Sequence, residues 1–175
     1  MGVLRIARGA GFEAARGGVL HMMGHSLVKA ALFVLAGNIM ARYSTKSSHD
    51  VTGLTRTMPF TSALWLAGII AITGSPPFIL FLSEFSVLQG LLHSDMLPAA
   101  ICFLFLLGVI FVGMMTPVLR MCRGKAPHGV LPRRKEDPLS VLPSACLLLL
   151  AVVLGLIMPE WLNNALSLAV STGVE

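Results

Sequence analysis

His21, His25 and Lys29 stand four apart in an apolar stretch running from about Val19 to Ala41. On a helix, four residues advance ~400°, so each side chain lies ~40° round from the last and ~6 Å further along. The three form one polar stripe. Lys29 falls near the middle of its segment, where a charged side chain costs roughly 2.5–3.5 kcal/mol on the insertion scale. It is therefore expected to face the protein interior and a partner. Burial disfavours a charged ammonium and a nearby carboxylate favours it. A lysine between these effects changes protonation when its partner moves. Histidines titrate near neutrality and can pass protons along a line.

Glu84 is the acidic counterpart, lying inside a second apolar stretch just past Gly74-Ser75-Pro76-Pro77. Successive prolines break the hydrogen bonds of a regular helix, and the loosened backbone and water beside a break can accompany a carboxylate. Glu84 is a proton-site candidate, and Lys29 and Glu84 are expected to communicate directly or through water. Plainer roles stay open at this point: an interfacial His21, a structural salt bridge or snorkelling stem for Lys29, a permanently protonated carboxyl for Glu84. Metal binding is the rival for the histidine pair, since His at i and i+4 can chelate zinc. The string His21-Met22-Met23-Gly24-His25 lacks the glutamate of the zinc-protease pattern. The reading is no metal and no cofactor. Cys102, Cys122 and Cys146 are scattered singly and read as unpaired.

These residues need a membrane around them, and the composition supplies one. Among 175 residues, 55% are hydrophobic and 12% charged, about half the globular charge norm of ~25%. Mean hydropathy is +0.83. A soluble globule could not cover its surface with so few charges, and three cysteines are too few for a disulfide scaffold. The net charge of +5 is read as membrane topology rather than as a nucleic-acid footprint.

The expected fold class is all-α, a polytopic transmembrane bundle. It has about four crossings plus a partial N-terminal one, with one helix interrupted at Gly74–Pro77. The expected divisions are 1–17 as a remnant helix and loop, 18–42 as the His/Lys helix and 58–93 as the interrupted helix. Helices over 96–120 and 139–158 follow, then a tail over 159–175 with amphipathic spacing suited to an interface. Pro59 suits a helix start, and Pro117 predicts a kink. The segment Phe78 to Leu92 is ~22 Å long, short of the ~30 Å hydrocarbon core. No charge near Pro76-Pro77 marks an aqueous turn. A single broken crossing is therefore favoured over two short ones. The loop Tyr43–Met58 and the basic loop Arg120–Lys135 then share one side, cytoplasmic by their lysines and arginines.

The string His21-Met-Met-Gly-His25-Ser-Leu-Val-Lys29, continuing to Gly37-Asn38, resembles the histidine–lysine helix of a known family. The stretch Gly53-Leu54 to Met58-Pro59 is similar to that family's lead-in to its broken helix. Gly74-Ser-Pro-Pro-Phe78 to Phe81-Leu-Ser-Glu84-Phe85 is similar to the interrupted helix with its ionisable residue. The family is that of the antiporter-like membrane subunits shared by respiratory complex I, Mrp-type cation/proton antiporters and energy-converting hydrogenases. The wording is most similar to the membrane subunits of the hydrogenase-4 and formate hydrogenlyase group.

The resemblance implies an integral, multi-pass protein of a bacterial or archaeal inner membrane. Protons would move through Lys29 as the central site and Glu84 as the exit-side site, with His21 and His25 as relays. It implies other membrane subunits and redox subunits with nickel–iron and iron–sulfur centres as partners, so that the chain holds no redox centre of its own. It also implies that the family's first repeat is absent here, making the chain a C-terminal portion, a split product or an internally started reading frame. A cation/proton antiporter subunit and a non-transporting scaffold are the alternatives.

Overall fold

The computed structural model describes residues 12–125 and 136–173, and all the secondary structure described is helical. The helices are α1 (Phe12–Tyr43), α2 (Leu54–Thr57), α3 (Pro59–Ile72), α4 (Ile79–His93), α5 (Leu97–Cys122), α6 (Pro138–Leu156) and α7 (Glu160–Gly173). Three of them, α1, α5 and α6, are long and apolar enough to cross a membrane.

The fourth crossing is the interrupted one. α3 and α4 have 14 and 15 residues, ~21 and ~22 Å at ~1.5 Å per residue, each too short for a ~30 Å core. Both run antiparallel to α1. The α1 end at Tyr43 meets Thr57, just before α3 begins, and Leu32 meets Gly68. Further along, Gly24 meets Ile79 and Leu80, and Gly17 meets Ser83, Ser86 and Val87. α3 therefore follows the C-terminal half of α1 and α4 continues along its N-terminal half. The two are pieces of one crossing, as the absence of charge at the prolines suggested.

Local chemistry explains the break. Pro76 and Pro77 bring no N–H, and Gly74 takes a left-handed φ of 72°, which a glycine adopts without steric cost. The amides of Gly74 and Ser75 still close back on Ala71 and Ile70 carbonyls, at 3.2 Å each. α6 seals this point from behind. A Cβ on Gly155 would stand 2.1 Å from the Pro77 carbonyl oxygen and 2.7 Å from the Ile79 nitrogen, so backbone lies on backbone there.

α1 is the hub, packed against α3, α4, α6 and α7. α5 packs on α2, α3 and α4, its backbone standing off from α1, and its Ile101, Phe105 and Val112 point away from the bundle. Outward apolar side chains are what a helix bordering lipid presents. α5 continues as helix through Pro117 to Cys122.

The two polar loops lie at one end, as expected. The Gly53 amide donates to the Arg123 carbonyl at 2.7 Å, and the Thr52 hydroxyl to the Lys125 carbonyl at 2.8 Å. Glu136 closes the same end. Its carboxylate accepts from the Phe60 and Thr61 amides at 2.8 Å each and from the Thr61 hydroxyl at 2.5 Å. These are the orphan donors of the α3 N-terminus, where Met58 offers no side-chain cap. The next residue, Asp137, caps α6 through the Leu139 amide.

α1 begins at Phe12, ahead of the expected boundary at residue 18, so residues 12–17 belong to the His/Lys helix rather than to a loop. Within this first part of α1 the Arg16 guanidinium donates to Asn163 of α7. The remainder of the expected 1–17 segment lies outside the described residues, as do 126–135. The tail folds as α7, with Leu162, Leu166 and Val170 buried. Its amphipathic spacing thus serves packing against α1.

Candidate functional site

Helical spacing brings His21 and His25 together, and their rings stack with centroids 5.5 Å apart and planes 19° from parallel. The stripe foreseen from the sequence is present. His21 reaches across to α4, where its Nδ1 lies 3.1 Å from the Ser83 hydroxyl. The Nδ1 of His25 is buried without a hydrogen-bond partner among the described residues. α1 and α4 approach closely because glycines line the contact. A Cβ on Gly17 would be 2.9 Å from the Ser83 carbonyl oxygen, and one on Gly24 would be 2.8 Å from an Ile79 methyl.

Glu84 follows Ser83 in sequence, and ~100° of helical rotation turns it to a different neighbour. It is buried, at 8% exposure, and its carboxyl lies over Gly74. Any side chain on Gly74 would overlap it, with a Cβ 2.4 Å from the Glu84 carboxyl carbon. Gly74 is thus needed twice, for its φ and for this approach. The Glu84 carboxyl opens on a cavity of about 250 Å³ between α4 and α5, lined also by Thr73, Phe81, Phe85, Phe103 and Phe111. No charged group stands beside it among the described residues.

Lys29 does not meet Glu84. It is exposed on α1 and lines a second cavity of about 450 Å³ between α1, α3 and α5, with Leu32, Phe33, Trp65, Ile69 and Met114. No carboxylate is among the residues lining that cavity. The expectation of an inward-facing, partnered lysine is corrected to this extent: among the described residues Lys29 has an apolar wall and no ion pair. The reason is placement: α4 lies along α1 at Gly17 and Gly24, and the Glu84 carboxyl turns from that contact to Gly74 and the α5 side. The two cavities flank the end of α3, with Ile72 on the Lys29 side and Thr73 on the Glu84 side.

Two residues escaped the sequence reading. Ser83 is wholly buried, and only its place next to Glu84 hinted at it. Glu136 sits beside a run of basic residues, with nothing local to single it out. Its partners lie 75 and 76 residues away, beyond any local pattern. Chemically, the arrangement offers two stacked imidazoles, a carboxyl at a helix break and an amine on a separate wall. All are groups that bind and release protons.

Known proteins share this arrangement of helices. A chain of the Mrp complex from Dietzia sp. DQ12-45-1b superposes with a TM-score of 0.78 at 19% identity, over 94% of this chain and 38% of that one. A NADH-quinone oxidoreductase subunit N from Desulforudis audaxviator (strain MP104C) is 29% identical over 166 residues, covering 87% of this chain and 33% of that protein. A hydrogenase-4 component F homolog from Methylacidiphilum infernorum (isolate V4) is 39% identical over 101 residues, covering 57% of this chain and 21% of its relative. The chain spans a third or less of these curated relatives. Residues 1–115 match the family described as NADH:quinone oxidoreductase/Mrp antiporter, transmembrane. The chain, an integral membrane helix bundle, belongs to that family.

Proposed function

We propose that the chain is a proton-translocating portion of a membrane-bound hydrogenase or complex I-like redox complex in a bacterial or archaeal inner membrane. Electron transfer in nickel–iron and iron–sulfur partner subunits would drive the proton movement. Lys29 serves as the central site, Glu84 as the exit-side site, and His21 and His25 as relays between aqueous and buried groups. The observation that carries this reading is the Glu84 carboxyl at the break, over Gly74 and beside an open cavity, with no charged group next to it among the described residues. A carboxyl without a fixed cation partner exchanges its proton according to what enters the cavity. A shift of charge in a neighbouring subunit then biases the Lys29–Glu84 balance. The hydrogenase assignment is supported by the higher identity to the hydrogenase-4 component F homolog, 39% against 29% for the quinone oxidoreductase relative, over a shorter stretch.

The second reading is a cation/proton antiporter subunit, favoured by the fold likeness to the Mrp complex. The same residues serve it, without a redox partner. Purifying the native complex in mild detergent and identifying its subunits tests between them. Nickel–iron and iron–sulfur subunits in the complex support the redox reading. Membrane subunits alone, together with sodium-dependent proton flux in the absence of an electron donor, replace it with the antiporter.

A further inference from the structure

Ser83 Oγ has two neighbours, the Leu80 carbonyl oxygen at 2.6 Å and His21 Nδ1 at 3.1 Å. The side chain is completely buried, so no bulk water competes for either bond. A hydroxyl has one proton to give and lone pairs to receive, and a carbonyl only receives. The short bond to Leu80 therefore takes the Ser83 proton, and the hydroxyl oxygen is left to accept from the imidazole. His21 must then carry its hydrogen on Nδ1, which leaves Nε2 as the nitrogen with a free lone pair. In a histidine, the bond made by one ring nitrogen decides the state of the other.

We propose that Ser83 is a positioning residue that fixes His21 in the Nδ1–H tautomer, so that His21 takes up and hands on protons through Nε2 alone. A proton arriving at His21 binds Nε2, giving an imidazolium, and leaves again from Nε2. Crossing the ring would require Nδ1 to release its proton to Ser83 Oγ, and Ser83 to pass its own to the Leu80 carbonyl. A backbone carbonyl is not basic enough to hold it, so the transfer stops. Ser83 precedes Glu84 in sequence, yet its hydroxyl is no bridge from the histidines to that carboxyl. The consequence for the path rests on the function proposed above, whereas the tautomer rests on the hydrogen bonds alone.

The test is nitrogen-15 magnetic resonance of the full chain, labelled on histidine, in lipid bilayers at a pH where the rings are neutral. The His21→Asn variant assigns the His21 signals. The expected result is a His21 population dominated by Nδ1–H. Ser83→Ala is expected to shift it several-fold toward Nε2–H, while Ser83→Thr, which keeps a hydroxyl, restores the original ratio. A wild-type spectrum dominated by Nε2–H overturns the proposal whether or not the variants fold, and so does a ratio unchanged in Ser83→Ala. Undiminished proton movement in a His21→Asn complex overturns the consequence for the path and leaves the tautomer to be decided by the spectrum.

Discussion

Ser83 and Glu84 are adjacent on α4, yet one is sealed against α1 and the other opens on a cavity beside α5. On the sealed side, Gly17 and Gly24 let two backbones close until an added Cβ would stand under 3 Å from its neighbours. On the open side, Gly108 of α5 has nothing within 4 Å of where a Cβ would lie. Close packing tolerates little change of volume, while looser contacts leave room for water or for side-chain movement. The histidine side is thus built to hold its geometry. The carboxylate side is built to let something in.

The difference can be broken from its tightest point outward. Gly155→Leu drives a side chain into the backbone of Pro77 and Ile79, and should cost about 3 kcal/mol or more, read as loss of thermal stability in nanodiscs. Gly17→Leu attacks the α1–α4 contact itself and should cost about 1–3 kcal/mol by the same overpacking. Its effect is measured by the same melt, and by loss of the His21 signature that depends on Ser83. Glu136→Ala strips the N-terminus of α3 of the only side-chain cap described for it. It should cost roughly 0.5–2 kcal/mol, as losing a helix cap does, with faster amide exchange at Phe60 and Thr61 as the local readout. Gly108→Ala, on the loose side, should change stability by no more than about 0.5 kcal/mol. A large loss there would mean that the α4–α5 space is as closed as the α1–α4 contact.

The sequence made legible what repeats along a helix and what a proline forbids. The spacing of His21, His25 and Lys29 fixed a shared face because 3.6 residues make a turn. Pro76 and Pro77 fixed a break because they lack amide hydrogens. The missing charge at that break correctly argued for one crossing in two pieces. Pairings between distant segments were not legible. The contact of His21 with Ser83, the capping of α3 by Glu136 and the separation of Lys29 from Glu84 depend on how helices lie side by side. Residue spacing within one helix carries no information about that. The bond from Arg16 to Asn163 of α7 is another pairing of this kind.

The central claim is that Glu84 and Lys29 carry protons, and its most direct measurement is proton translocation per electron transferred in vesicles bearing the assembled complex. Glu84→Gln and Lys29→Ala should each abolish proton movement while the complex still assembles and its partner subunits still transfer electrons. Translocation at the wild-type ratio in both variants would contradict the account.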